Sequence, residues 1–200
     1  TLAVISELLK GCDAYIATGS NNSARYFEQY FEKFPHIIRR NRTSIAILTG
    51  EESAEELEKL TDEIHLYFGL GCRNVTKIYV PHGYDFIPLL QHFNRYGHFM
   101  EHHKYKNNFD YQLSILLLNN IFYMTNGTTL LIENGSVFSS ISVLHYEYYE
   151  KGKDAGSFAI NMDEIQCIAG TGKSPFGASQ SPGLFSYADG TDTMAFLLTL

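Results

Sequence analysis

Short apolar segments alternate with amphipathic helical segments along most of this 200-residue chain. In the helical segments apolar residues recur every three or four positions, whereas the other segments are brief apolar runs typical of buried strands. Parallel strands need a crossover between them, and that crossover is usually a helix. The alternation therefore predicts an α/β fold in layers, with a mostly parallel sheet and flanking helices.

Turn and capping residues set the predicted boundaries. Ser53 and Glu56 form a capping box that opens a helix, Pro81 ends a strand, and Asp192 is the predicted N-cap of a short C-terminal helix. The predicted helices lie at 2–9, 24–34, 53–68, 86–96 and 109–123, and the predicted strands at 14–17, 44–48, 76–80, 129–132, 141–146 and 165–168.

Charge and composition exclude several classes of partner. The net charge is -7, and the basic residues cluster only at Arg39, Arg40 and Arg42, so we expect no nucleic acid. The longest strongly apolar run, Leu113–Leu118, is far shorter than the roughly 20 residues of a spanning helix, so we expect no membrane insertion. The three cysteines are an odd number, and none pairs with another at a short metal-binding spacing, which indicates a reducing compartment. We therefore predict a soluble, cytoplasmic protein.

Cys72 is the candidate nucleophile. It follows a glycine-flanked turn, Gly69-Leu70-Gly71-Cys72, between a predicted helix and a predicted strand. Glycines let a substrate approach the backbone closely, nearby N–H groups could hold an oxyanion, and adjacent Arg73 would favour the thiolate. A buried structural cysteine is the alternative reading, and for Cys12 and Cys167 it is the preferred one.

Thr18, Gly19 and Ser20 close a predicted strand and open a predicted helix. Such a turn can receive a phosphate on helix N–H groups and a hydroxyl. Ordinary turns between strand and helix use the same residues for geometry and capping, so both interpretations stay open.

Other polar residues carry weaker signals. His98 and His102 are four apart and could ligate a metal, but apart from Glu101 no Cys or carboxylate partner completes a site, so we predict no metal and a solvated helix face. His36 is either a general base or a surface loop residue. Asp189 and Asp192 could form a carboxylate pair, or Asp192 simply caps a helix.

Several segments resemble motifs of the aldehyde dehydrogenase superfamily and follow one another in the same order as those motifs. Two segments, Asp13–Asn22 and Tyr187–Met194, are more specifically similar to the acyl-CoA reductases that include the fatty-acid reductase of bacterial bioluminescence. The matching segments are Asp13–Asn22 with Ile16-Ala17-Thr18-Gly19-Ser20, Gly69–Cys72 followed by Val75–Val80, Pro175-Phe176-Gly177 with Ser181 and Gly183, and Tyr187–Met194.

The resemblance implies an aldehyde-dehydrogenase-like catalytic lobe and part of a cofactor domain. Residues 1–40 would end the nucleotide-binding domain, 41–175 would form the catalytic thiol domain, and 176–200 would be a C-terminal segment. Cys72 would accept the acyl group of a fatty acyl-CoA as a thioester, which NADPH, or NADH in its place, would reduce to an aldehyde. Thr18, Gly19 and Ser20 would contact the cofactor phosphates. Because the chain looks cut from a longer one, we expect this fragment alone to be inactive.

The sequence also departs from the superfamily. Where the dehydrogenases carry a general-base Glu in Glu-Leu-Gly-Gly-Lys, this chain has Arg39–Thr43, without a carboxylate. Their ribose-contacting Glu-Ile-Phe-Gly-Pro has no counterpart at Gly135–Ser139. A CoA-acylating aldehyde dehydrogenase, an acyl-phosphate reductase and an inert structural or interaction fragment remain alternatives. The expected partner is acyl-CoA or an acyl donor protein, and a homo-oligomer stays open.

Overall fold

The computed structural model describes Ile5 and residues 10–150, 161–170 and 172–200. The predicted opening helix at 2–9 lies outside these residues apart from Ile5. The chain divides into two compact units, Thr1–Asn41 with Leu184–Leu200 and Arg42–Gly183. The predicted roles of 1–40, 41–175 and 176–200 stay predictions.

The smaller unit is built on a strand, a turn and a helix. β1 (Tyr15–Thr18) leads into α1 (Asn21–Phe31), and β2 (His36–Arg39) then pairs with β1 in parallel. The short α5 (Thr193–Leu197) begins after its N-cap Asp192, as predicted. β2 was not predicted, because the stretch before the basic cluster was interpreted as a loop. Ile37 within β2 is nonetheless buried.

The larger unit contains a six-stranded sheet. Its strands are β3 (Thr43–Ile47), β4 (Val75–Pro81), β5 (Met124–Thr125), β6 (Leu130–Glu133), β7 (Val143–Tyr149) and β8 (Ile165–Gly170). They lie in the order β5-β6-β7-β4-β3-β8, and every pairing except β5 with β6 is parallel. The predicted mostly parallel sheet is confirmed.

The described residues of this unit contain three α-helices: α2 (Ala54–His65), α3 (Ile87–Phe93) and α4 (His103–Leu118). The predicted capping box at α2 is present in both directions, from Ser53 to Glu56 and back. The predicted helix at 86–96 is shorter as an α-helix and continues as a 3-10 helix over Asn94–Glu101. The predicted helix at 109–123 is displaced, because Tyr105 and Phe109 are the buried residues of the first turns of α4.

The main core lies between one sheet face and helices α2 and α3. It joins strand residues with helix residues, including Ala46, Ile78, Val80, Leu144, Leu57, Leu60, Leu89 and Phe93. A smaller cluster of Ile45, Ile47, Tyr79 and Ile165 lies on the opposite sheet face. Among the described residues, no helix is both long and apolar enough to cross a membrane.

Candidate active site

The backbone reverses its handedness just before Cys72. α2 ends at His65, and after Leu66 the residues Tyr67, Phe68 and Gly69 have φ values of 56°, 59° and 71°. Left-handed backbone is unfavourable for residues with a side chain, so packing must hold it in place. The ring of Phe68 supplies such packing, with centroids 4.5 Å from Phe99 and 4.9 Å from His102.

Cys72 lies in a tight turn between this reversal and β4. The N–H of Asn74 donates to the carbonyl of Gly71 at 3.0 Å, which closes the turn around Cys72 and Arg73. Cys72 is a free thiol and is exposed, as a nucleophile for an external substrate must be. The alternative reading of Cys72 as a buried cysteine is therefore wrong.

Ser44 connects the Cys72 turn with strand β8. Its hydroxyl donates to the carbonyl of Cys72 at 3.0 Å and accepts from the N–H of Cys167 at 3.1 Å. Ser44 is the second residue of β3, Cys72 precedes β4, and Cys167 is the third residue of β8. The candidate site thus lies at the end of the sheet where the N-termini of the parallel strands β3, β4 and β8 meet.

Arg73 points toward a different thiol from the one expected. Its guanidinium donates to Sγ of Cys167 at 3.2 Å and to the carbonyl of Ser179 at 3.4 Å. The expected effect of Arg73 on the Cys72 thiolate stays a prediction. The expected burial of the other two thiols is also wrong, because Cys12 is exposed and Cys167 is only partly buried.

The late Pro175–Gln180 segment packs against α2 and the Cys72 turn. Phe176 is buried in the main core, and Gln180 donates its side-chain amide to the carbonyl of Arg73 at 3.1 Å. The N–H of Ser179 donates to the carboxylate of Glu63 at 2.9 Å. The segment that resembled a superfamily motif is thus anchored beside the candidate nucleophile.

Glu63 is a fully buried acid that the sequence analysis missed. Burial raises the pKa of its carboxyl group, and the hydrogen bonds from Ser179 oppose this shift only in part. The sequence did contain a signal for this burial, because Glu63 follows Leu60 by three residues and so lies on the apolar face of α2. Asn74 and Ser44, both fully buried, were missed as well, although Asn74 stands two residues from Cys72.

The predicted cofactor turn lies in the smaller unit, between β1 and α1. Ser20 caps α1, since its hydroxyl accepts from the N–H of Ser23 at 3.1 Å. A Cβ on Gly19 would lie 2.8 Å from Cβ of Ser23 and 2.9 Å from the ring of Phe27, so close packing of the turn on its own helix explains this glycine. Thr18 is the last residue of β1.

This turn fits a single phosphate contact at the N-terminus of α1. A dinucleotide normally extends across several strands of a doubly wound sheet, and in the described part of this unit only β1 and β2 form a sheet. The cofactor role of Thr18, Gly19 and Ser20 stays a prediction.

The structure separates the three histidines that were candidates for chemistry, His36, His98 and His102. His98 lies in a 3-10 helix and His102 is the extended residue before α4, so they do not share a helix face. No cluster of metal-ligating side chains occurs among the described residues. His36 lies in β2, where Nδ1 donates to the carbonyls of Phe31 and Phe34; the surface-loop interpretation is wrong, and no contact indicates a base.

Asp189 and Asp192 do not act as a pair. Asp192 caps α5 by accepting from the N–H of Ala195 at 2.9 Å. Asp189 lies 3.8 Å from the guanidinium of Arg39. Both carboxylates are engaged within the smaller unit, and each has a structural role.

Comparison with known proteins relates the chain to others through its fold. No family model matches the sequence, and no curated protein matches it. An indole-3-acetaldehyde dehydrogenase in complex with NAD+ matches 78% of this chain at 11% identity, with a TM-score of 0.57. An aldehyde dehydrogenase C from Pseudomonas syringae, in complex with NAD+ and octanal, matches 84% at 12% identity and a TM-score of 0.56.

A third solved structure agrees with these two. An aldehyde dehydrogenase from Pseudomonas aeruginosa matches 78% of the chain at 12% identity, with a TM-score of 0.53. The chain covers 39%, 42% and 39% of the three enzymes, so it spans about two fifths of their length. The expectation from sequence is confirmed at this level: the chain has part of an aldehyde-dehydrogenase-like fold, with a mostly parallel sheet and flanking helices.

Proposed function

We propose that the protein belongs to a nicotinamide-dependent oxidoreductase that reduces a fatty acyl-CoA to an aldehyde through a thioester on Cys72. The observation that carries the proposal is the exposed thiol of Cys72, held on a turn immediately before a parallel strand in an aldehyde-dehydrogenase-like fold. The general part of the proposal is that the protein is an oxidoreductase acting on aldehydes. The specific part is that it forms the aldehyde by reducing an acyl-CoA.

The chemistry begins with attack of the Cys72 thiolate on the acyl carbonyl carbon. The bond from that carbon to the sulfur of CoA breaks, and CoA leaves as a thiolate that takes up a proton. The nicotinamide cofactor, NADPH in this proposal, supplies the hydride that reduces the enzyme thioester. Cleavage of the carbon–sulfur bond then releases the aldehyde and restores Cys72. The net reaction consumes one acyl-CoA, one reduced cofactor and one proton.

Two features of the chain favour reduction over oxidation. The stretch Arg39–Thr43 lacks the carboxylate with which aldehyde-oxidising relatives activate water. The segments Asp13–Asn22 and Tyr187–Met194 also resemble the acyl-CoA reductases in particular. Thr18, Gly19 and Ser20 would supply the phosphate contact for the cofactor in the complete protein.

Aldehyde oxidation is the second candidate. It is favoured by the fold comparison, because the neighbours in complex with NAD+ include one with octanal. The same thiol would attack the aldehyde, bound NAD+ would take up the hydride from the resulting hemithioacetal, and water would then hydrolyse the thioester and release the acid. The two candidates differ in what restores Cys72: hydride in one direction, water in the other.

The test uses the longest chain that contains this segment. The protein is incubated with acyl-CoAs of graded length, and any acyl adduct is mapped by mass spectrometry. We expect an adduct at Cys72, aldehyde formation on addition of NADPH, and loss of both in Cys72→Ser, whose side chain is nearly isosteric. Cys12→Ser is the matched control and should retain both. Normal aldehyde production by Cys72→Ser would refute the assignment.

A further inference from the structure

Asn74 is a fully buried polar residue at the end of the Cys72 turn. Its side-chain nitrogen donates to the carbonyls of Glu63 at 2.8 Å and Leu66 at 2.9 Å, and its side-chain oxygen accepts from the N–H of Gly71 at 2.8 Å. Both N–H bonds of the amide are thus used, and its oxygen is engaged too. Such complete pairing is what a buried amide needs to be stable.

The end of α2 explains why this amide is required. The last carbonyls of a helix have no partner within the helix. Here the chain leaves helical geometry at Leu66, where ψ is 141°, and continues through the left-handed residues that follow, so it does not add a further turn of α2. Asn74 supplies donors to two of the carbonyls near this end, and so connects the helix to the turn.

The hydrogen bond between Gly71 and the side chain of Asn74 requires a glycine at position 71. A Cβ added at Gly71 would lie 3.0 Å from the side-chain oxygen of Asn74, closer than carbon normally approaches such an atom. The absence of a side chain at Gly71 therefore allows its N–H to reach the amide. The two residues that flank Cys72 and Arg73 are held together by this bond and by the backbone bond between them.

The main chain of Asn74 is fixed from the other side. Its carbonyl accepts from the N–H of Ser44 at 3.1 Å, and Ser44 also donates its hydroxyl to the carbonyl of Cys72. The turn is therefore attached to α2 through the side chain of Asn74 and to β3 through Ser44. Among the described side chains, that of Asn74 alone bonds both to Gly71 and to the end of α2.

We propose that Asn74 is the positioning residue of Cys72: its buried amide ties the thiol-bearing turn to the end of α2 and so sets where the sulfur meets the acyl carbonyl. The proposal rests on the proposed function for its chemical consequence. Its structural part, the fixed turn, can be tested independently. Asn74 acts through the backbone of the turn and has no role in the bond changes themselves.

The experiment compares Asn74→Ala and Gly71→Ala with the unaltered protein. Leu144→Val in β7 is the control for lost stability, because it trims a buried side chain outside the turn. Three quantities are measured: hydrogen exchange of peptides covering 69–74, the rate of Cys72 alkylation by iodoacetamide, and the rate of Cys72 acylation as a function of decanoyl-CoA concentration.

We expect faster exchange at 69–74 and an altered alkylation rate in both variants. The maximal acylation rate should fall about 10- to 100-fold, as small misplacements of a nucleophile do, while the half-saturating decanoyl-CoA concentration changes little. Leu144→Val should leave exchange at 69–74 and the acylation rate unchanged. If Asn74→Ala does not fold, Gly71→Ala decides on the same three measurements.

Unaltered exchange, alkylation and acylation in the folded variants would overturn the positioning role. Failure of the proposed function would show differently: the unaltered protein itself would form no adduct at Cys72 with any acyl-CoA. In that case exchange and alkylation still decide whether Asn74 fixes the turn.

Discussion

The guanidinium of Arg73 donates a hydrogen bond to the sulfur of Cys167 at 3.2 Å, although Arg73 is the chain neighbour of Cys72. Cys167 is partly buried under this contact, whereas Cys72 and Cys12 are both exposed. General reactivity toward an alkylating reagent therefore does not single out Cys72, and a selective test has to involve the substrate.

We predict that iodoacetamide labels Cys12 and Cys72 before Cys167. Incubation with acyl-CoA beforehand should slow the labelling of Cys72 at least about tenfold, because the thioester blocks its sulfur, and should leave Cys12 unchanged as the internal control. Peptide mass spectrometry over time measures all three. Equal protection of Cys12 and Cys72 would indicate unspecific acylation and contradict the prediction.

We predict that the acyl-enzyme persists when NADPH is absent. General-base activation of water is worth about 10²–10⁴-fold in rate, and the Arg39–Thr43 stretch offers no carboxylate for it. The protein is loaded with acyl-CoA, freed of excess donor and followed with and without NADPH. Rapid release of free fatty acid without cofactor would contradict this. Its loss in Glu63→Gln or His36→Ala would then identify the base.

We predict an acid-sensitive contribution to stability from His65. Burial lowers the pKa of its imidazole to about 4, while Nε2 hydrogen-bonds to Thr129 at 2.9 Å. Below the ordinary histidine pKa of about 6.5, the unfolded chain binds a proton that the folded protein does not. Stability is therefore lost as the pH falls from about 6.5 to about 4, by about 3 kcal/mol in total.

Urea unfolding of the unaltered protein and His65→Gln between pH 8 and pH 4 tests this. The destabilisation caused by the substitution should be largest at pH 8 and should shrink as the pH falls. His98→Gln is the matched control at an exposed position and should show a constant, small difference. A difference between His65→Gln and the unaltered protein that does not vary with pH would exclude the buried neutral imidazole.

We predict that Gly170→Ala is strongly destabilising. Gly170 ends β8 with φ at 113°, and a Cβ there would lie 2.1 Å from the carbonyl oxygen of Ile47 on β3. Backbone strain and the clash together should cost at least about 2 kcal/mol. Gly97→Ala, where nothing lies within 4 Å of the added carbon, should change the unfolding free energy by less than about 1 kcal/mol. Similar midpoints of thermal unfolding for both variants would contradict the prediction.

The fold was predictable from sequence wherever local signals agreed. The capping box at Ser53 and the apolar runs of β3 and β4 are strong local signals, and the structure contains each element near its predicted place. β2 was missed because its four residues include His36 and Arg39, and its pairing with β1 decides its conformation. α4 was displaced because tertiary packing of Tyr105 and Phe109 outweighs the apolar run that follows.

The candidate site was predictable only in part. The turn around Cys72 has a local signature in its glycines, so sequence reasoning could select Cys72 as a candidate. The direction of Arg73, the burial of Glu63 and the hydrogen bonds of Asn74 depend on residues 8 to 116 positions away. No local pattern encodes such distant partners, which explains why these residues went unnoticed.

The position of the thiol at the edge where β3, β4 and β8 begin has a consequence for how the protein folds. Ser44, Cys72 and Cys167 come together only after strands far apart in the chain have paired, and such distant pairings form slowly. During synthesis Cys72 must therefore emerge as a bare thiol well before Cys167 and the Pro175–Gln180 segment exist to surround it. The surroundings of Cys72 are therefore completed late in folding, and a chain interrupted before β8 would carry the Cys72 thiol without Cys167 and the Pro175–Gln180 segment.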